Sequence, residues 1–400
     1  LKRYLLSLLT LVSFIFISCN EQPTDVAYDL VSDSLGIFII SQTDTNLLVS
    51  HSNFNNSPNN SNTGYFFVGR TKDIETISVL RFGSIPDSLS YLKPEDFISA
   101  EIFLYPKRYA IGDTNSPSFA FNLHKVENYW SLAANWDSIN APGMISYKLG
   151  SYNSAITLKD TMGSISVPIE PKILSEWLQI QPDTNIAVVN WGIALVPEQS
   201  SNVIYTFGGE GVGYANVSPI IRGVFKNKLG EIDTLFLYTA INTTFIKNHN
   251  IDSNDIVIQG GLDTRTTLNF DLSMIPKFAG ISKMEMQFTL NKEKSIFGNF
   301  DQDETFQIDF VSDSTQGIYG NYYYYAQASD TNFTKYYCPS TTSAAETWNR
   351  HTGKGKLQLS GSDFKSMYNR LDRMVFHSFN DPDTNKRPKI RVIYSLRQSK

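Results

Sequence analysis

Aromatic rings are the side chains of this sequence best placed to do chemistry, and that chemistry is binding. Tyr322, Tyr323, Tyr324 and Tyr325 follow one another, with Tyr319, Tyr336 and Tyr337 close by. Alternate residues of a strand face opposite sides, so at least one pair of these tyrosines is expected on the outside, towards solvent or a ligand. A flat ring buries the C–H face of a sugar while polar neighbours bond its hydroxyls. Tyr129, Trp130 and Trp136 are a second candidate group, although paired tryptophans more often fill a core.

Metal and catalytic chemistry find weaker footing. Asp381, Asp383 and Asn385 place three oxygen ligands at alternate positions, and Asp301-Gln302-Asp303-Glu304 is a second acidic group. Neither has the glycine and distal glutamate of an EF-hand, so calcium stays a possible cofactor without a strong motif. The tripeptide Asp-Thr-Asn begins at Asp44, Asp113, Asp183, Asp330 and Asp383, and it suits a turn at each. His51, His124, His249, His351 and His377 are scattered, with no His-x-x-x-His or Glu-x-x-His grouping and no Gly-x-Ser-x-Gly elbow. The glycines from Gly208 to Gly213 sit between strand patterns, where a nucleotide loop would precede a helix. Carboxylate pairs of a glycosidase come from distant strands and leave no local pattern. No catalytic residue is assigned.

Composition indicates the scaffold. Aromatic residues make up 13% of the chain, with 26 Phe and 21 Tyr, which favours strands over helices. The formal charge of −5 gives no broad basic field, so nucleic acid is not an expected partner. Four hundred residues suit two domains.

The N-terminus carries the most specific motif. Lys2 and Arg3 precede an apolar run from Leu5 to Ile17, too short for a comfortable membrane span, and Phe16-Ile17-Ser18-Cys19 ends it. These residues resemble a bacterial lipoprotein signal and its lipobox. Cleavage is then expected before Cys19, whose lipids anchor the protein by burying methylenes at roughly 0.8 kcal/mol each. The expected segments are a signal peptide over 1–18 and a lipidated cysteine with a polar tether over 19–35. The expected location is the cell envelope, at the outer membrane. Cys338 is the other cysteine, expected as a buried thiol.

Strand patterns fill the rest. They run over Ile37–Ile40, Gly64–Arg70, Thr76–Phe82, Ile98–Tyr105, Phe119–Val126, Ser164–Ile169, Ile186–Val196, Val203–Phe207 and Ile220–Phe225, while the Asn- and Ser-rich Ser50–Thr63 reads as a loop. One short helix is expected after Pro171. From about residue 229 the series echoes. Thr266–Phe270 repeats Ser78–Phe82, Met274-Ile275-Pro276 repeats Ser84-Ile85-Pro86, and Ile281–Met286 repeats the Ile98 strand. Asp363–Leu371 repeats the helix and Arg387–Tyr394 repeats Ser218–Phe225. The expected fold is all-β: two tandem antiparallel β-sandwich domains, jelly-roll-like, over 36–228 and 229–400, each with one short helix.

Leu80-Arg81-Phe82 with Ile85-Pro86, the Ser99-Ala100 strand, Val126 to Trp130 followed by Trp136-Asp137, and the terminal Arg387-Pro388-Lys389-Ile390 resemble the DNRLRE-type domain, a β-sandwich related to carbohydrate-binding modules. The resemblance spans about 37–226, and more loosely 229–395, where the double-Trp segment is missing. It implies non-catalytic binding of polysaccharide, with a cell-surface glycan as partner. A structural, adhesion or protein-docking role is the alternative, and a polysaccharide-degrading enzyme the third. The anchor makes a direct prediction. Cys19→Ala should abolish incorporation of a labelled fatty acid and move the protein from the membrane to the soluble fraction; persistent labelling would refute lipidation at Cys19.

Overall fold

The structure is a computed structural model that describes residues 35–397 apart from 44, 62, 84–85, 159–162, 179–189, 210–217 and 364. The expected signal peptide, Cys19, Ile85, Phe364 and most of the glycine run up to Gly213 lie outside the described residues. The fold is all-β and sandwich-like, and every pairing between described strands is antiparallel.

Two sheets form the molecule. The first has twelve strands: β3 (Asn60–Ser61), β4 (Tyr65–Arg70), β5 (Ile74–Phe82), β6 (Phe97–Leu104), β7 (Pro106–Gly112), β8 (Ala120–Val126), β9 (Ile145–Asn153), β10 (Ile165–Ile169), β11 (Ile193–Pro197), β12 (Val203–Gly208), β13 (Ile220–Lys226) and β14 (Ile232–Asn248). The second has eleven: β1 (Leu35–Ser41), β2 (Leu48–Asn55), β15 (Ile256–Gln259), β16 (Thr264–Asp271), β17 (Gly280–Thr289), β18 (Thr305–Val311), β19 (Tyr323–Ala328), β20 (Lys335–Cys338), β21 (Lys354–Gly361), β22 (Arg373–Phe376) and β23 (Lys389–Arg397). Sheet membership cuts across the expected division at 228/229. The first two strands belong with the C-terminal ones, and β14 belongs with the N-terminal ones.

Pairing in the two sheets follows one pattern. β6 lies between β10 and β13 as β17 lies between β20 and β23. β11 joins β5 to β8 as β21 joins β16 to β18, and β9 follows β8 as β19 follows β18. β4 sits between β5 and β12 as β15 sits between β16 and β22. β14 turns a corner: Ile232–Tyr238 pair with β13, and after a bulge Thr239–Asn248 pair with β5. Strand alternation sends Leu80, Phe82, Phe121, Leu123, Ile193 and Leu195 into the first core and Leu268, Phe270, Phe306, Ile308, Leu357 and Leu359 into the second.

Three expectations about elements need correction. The Ser50–Thr63 segment holds β2's end and β3, because its asparagines bond across the sheet. Asn53 Oδ1 accepts from Thr266 Oγ1 at 2.6 Å, its Nδ2 donates to the Asp255 carbonyl at 2.8 Å, and Asn55 Oδ1 accepts from Thr264 Oγ1 at 2.8 Å. The second sheet's α-helix is Thr342–Arg350, which buries Ala344, Ala345, Trp348 and Asn349; Lys365–Asn369 within the expected helix makes one π-turn instead. There the Met367 carbonyl is taken by the Gly261 N–H at 2.7 Å, and Leu371 is drawn into the contact between the sheets. The first sheet carries two short helices where one was expected: Lys172–Leu178 and Trp136–Ile139, the latter capped by Asn135 Oδ1 on the Ser138 N–H at 3.0 Å.

A smaller apolar cluster joins the sheets: Phe67, Ile74, Tyr109, Ile111, Ile204 and Ile246 of the first meet Leu262 and Leu371 of the second. At its centre Asp372 Oδ1 accepts from Tyr109 Oη at 2.8 Å and from the Gly298 N–H at 2.6 Å. Burial pushes the Asp372 carboxyl up to about 6, although these donors and Arg370 favour its charged form. An unfolded aspartate has lost its proton by about pH 4, so between about pH 4 and 6 folding takes up a proton here. Stability from this group therefore falls as pH rises through that window and levels off above it. Asp372→Asn keeps an acceptor without the charge. Urea unfolding should show it stabilising relative to wild type at pH 7 and by less at pH 4.5; an equal difference at both pH values would refute the assignment.

Candidate functional site

The outward tyrosines stand on β19. Tyr323 is 63% exposed and Tyr325 46%, and their rings meet edge to face at 6.1 Å. At that angle one ring at a time can lie flat on a pyranose. Tyr324 points inward, where its hydroxyl accepts from the Ala344 N–H at 3.2 Å and burial raises it to about 12. Tyr322 precedes the strand and leans edge-on against Phe310 at 5.3 Å. The run is thus divided by the pleat.

Cross-strand register surrounds the outward pair with polar groups. Tyr323 lies opposite Asp309 and Tyr325 opposite Gln307; on the next strand Gln358 faces Asp309 and Ser360 faces Gln307. Beyond them come Thr267 and Arg265 on β16, and Phe54 on β2 opposite Arg265. Gln307 Nε2 donates to Asp309 Oδ1 at 2.5 Å, and Arg265 Nη1 donates to Gln358 Oε1 at 2.9 Å while its Nε holds Asp263 at 3.0 Å. Asn56 Nδ2 donates to the same Asp263 at 2.9 Å. This leaves a fixed array of donors and acceptors beside two rings. At the far side, Tyr337 Oη donates to Glu285 Oε2 at 2.5 Å. Partial burial alone would raise Glu285, but bonds from Lys283, Tyr337 and Arg391 hold it down at about 2.

The matching face of the first sheet is closed. Its outward positions are Ile77, Val79, Ala194, Val196 and Phe245, and the 127–144 segment folds over them with Trp130, Ala134, Trp136 and Ile139. Trp130 is 6% exposed, with its indole N–H donating to the Trp191 carbonyl at 2.8 Å, so neither ring face is free for stacking. Trp136 is half-buried in the same cover, with the Lys247 ammonium 5.8 Å from its ring centre. Tyr129 is exposed and meets Trp191 edge-on at 5.2 Å. The Tyr129, Trp130 and Trp136 group is therefore mostly a lid on the first sheet, and the tyrosine group is not joined to it.

The remaining candidates are turns and core. Asp381 Oδ2 bonds His377 Nδ1 at 2.7 Å and its Oδ1 accepts from the Asp383 N–H, while Asp383 Oδ1 accepts from the Asn385 N–H. Among the described residues no group of three or more His, Cys, Asp or Glu is arranged to hold a metal ion. Asp113 and Asp330 accept backbone N–H groups in the same manner, which is the turn chemistry expected of Asp-Thr-Asn. Cys338 is buried in the second core, and burial pushes its thiol up to about 11. No described helix is long and apolar enough to cross a membrane.

Phe54, Asp263, Arg265, Gln307, Asp309 and Gln358 were not expected at a site. Their one signal is polar residues at alternate positions of apolar strands, which any solvated sheet face shares. No protein-family model matches this chain, and no curated protein is similar to it.

The two aromatic groups differ in a measurable way. Trp130→Ala should destabilise the fold by about 3–5 kcal/mol, whereas Tyr323→Ala and Tyr325→Ala should each cost under about 1 kcal/mol in chemical denaturation. A large loss from either tyrosine would show that it is structural.

Proposed function

We propose that this protein is a lipid-anchored envelope protein of two tandem, jelly-roll-like β-sandwiches of the DNRLRE type, binding polysaccharide without turning it over. The single observation that carries the reading is the open face of the second sheet, where Tyr323 and Tyr325 stand beside Gln307 and Asp309, with Gln358 and then Arg265 on the next two strands. A ring supplies an apolar surface for one sugar, and the amide and carboxylate groups supply partners for its hydroxyls. The recurring strand-pairing pattern supports the tandem reading. The double-Trp segment, which the second repeat lacks, supports a division of labour: in the first repeat it covers the sheet, and in the second its absence leaves the face accessible.

A docking role has its own observation. Phe236 and Tyr238 on β14 and Ile98 near the start of β6 are exposed on the other layer of the first sheet, next to the Arg222–Glu101 ion pair. Exposed aromatic side chains flanked by charge suit a protein partner.

The test is affinity electrophoresis of the soluble body against neutral and anionic polysaccharides, with the same samples checked for shortened products. Retardation by at least one polysaccharide should weaken roughly five- to tenfold on Tyr323→Ala, as expected for losing about 1 kcal/mol of ring contact, and Phe236→Ala should leave it unchanged. No retardation across the panel by the folded protein would overturn glycan binding. Shortened products would overturn its non-catalytic character.

A further inference from the structure

We infer that the two repeats exchange their opening strands, so that each sheet is completed by the first strands of the other repeat and the candidate face contains residues from both. In chain order β1 and β2 precede β4 and β5 as β14 precedes β15 and β16. In space they have traded places. β14 fills the position beside β13 and β5, while β1 and β2 fill the equivalent position beside β23 and β16. The registers match residue for residue: Phe245 faces Ile77 where Phe54 faces Arg265, Thr243 faces Val79 where Ser52 faces Thr267, and Ile241 faces Arg81 where Ser50 faces Asn269.

Side-chain chemistry favours the exchanged arrangement over one in which each repeat keeps its own strand. β14 sends Ile241 and Phe245 to the apolar face that Trp130 and Trp136 cover. β2 sends Ser50 and Ser52 to the open polar face, where Asn269 Nδ2 donates to Ser50 Oγ at 3.0 Å. Without exchange, Ser50 would replace Ile241 in the covered apolar layer and Ile241 would face solvent, costly in the first case and unproductive in the second, while the Ser52/Thr243 and Phe54/Phe245 positions keep their polarity either way. The crossing segments are short, 56–64 and 249–255. The first includes β3, which pairs with Thr243 and Thr244 of β14. Short connections between equivalent elements are the setting in which strand exchange arises. The exchange also delivers Phe54 to the edge of the tyrosine face and Asn56 to Asp263, so that face is incomplete without the first repeat's strand.

The inference stands on the pairing and holds whether or not a glycan binds. The test uses the whole chain with a protease site inserted after Leu229, in the exposed turn between β13 and β14. Two cysteine pairs join the halves if the strands are exchanged: Ser52→Cys with Thr267→Cys, and Val79→Cys with Thr243→Cys. Two others stay within one half and report the unexchanged arrangement: Ser52→Cys with Val79→Cys, and Thr243→Cys with Thr267→Cys. After mild oxidation, cleavage and denaturation without reductant, the first two variants should run as one species, whereas the last two should run as separate halves whose two introduced cysteines still take up a thiol label. Separate halves from the first two variants, with the introduced thiols of the last two lost to a disulfide, would overturn the proposal, and a link in only one of the first two would overturn its reciprocity. Disulfide-joined pairs of whole chains before cleavage would overturn exchange within one molecule.

Discussion

A strand inside a sheet needs hydrogen-bond partners along both edges, and the rest of this molecule follows from how β5 and β16 meet that need. Each carries core residues of its sheet, Leu80 with Phe82 and Leu268 with Phe270. Each has a strand from the same half of the chain on one side, β11 or β21. On the other side each takes a strand from the other half of the chain, β14 or β2. Leaving those edges bare would expose rows of unpaired amides and carbonyls. The contact between the sheets, with Tyr109 and Asp372 at its centre, thus accompanies a backbone connection that already holds the two together.

The same backbone frame supports two opposite surfaces. Where the outward positions are Ile77, Val79 and Ala194, the sheet must be covered, and the Trp130 segment covers it. Where they are Arg265, Thr267 and Gln358, solvent is tolerated and no cover is required. A change of polarity at a few alternate positions converts a core layer into an accessible face without touching the residues that define the fold. Tyrosine suits that face because its ring is apolar and its hydroxyl remains wet.

Much of the scaffold was legible from alternation and composition. Ile98–Tyr105, Val203–Phe207 and Ile220–Phe225 announce their strands because apolar side chains recur with period two, and Pro171 marks a helix start. Less legible were elements whose stabilisation comes from distant partners. The polar strand β2 resembles a loop until Thr264 and Thr266 are seen to bond its asparagines. The Thr342–Arg350 helix hides because two of its buried residues are alanines, too small to stand out as an apolar stripe. At the site, the tyrosine run could be found in the sequence, but its polar surroundings come from three other strands and follow only from register. The burial of Trp130 and the pairings of β14 with β5 and of β2 with β16 are long-range facts that no local pattern encodes.

The pairing of β1 with β23 sets Leu35 opposite Arg397, almost the full described length of the chain apart in sequence and adjacent in space. The first described strand must wait for the last described one. Until Lys389–Arg397 has emerged, Ile37, Phe38 and Ile39 have no neighbour on that edge, and the second sheet cannot close. Loop-closure entropy over such a separation makes this a slow, late step, with an apolar edge open to wrong partners throughout. On this topology the first sheet has all its described strands by Asn248, whereas the second closes only when its two most distant described strands meet.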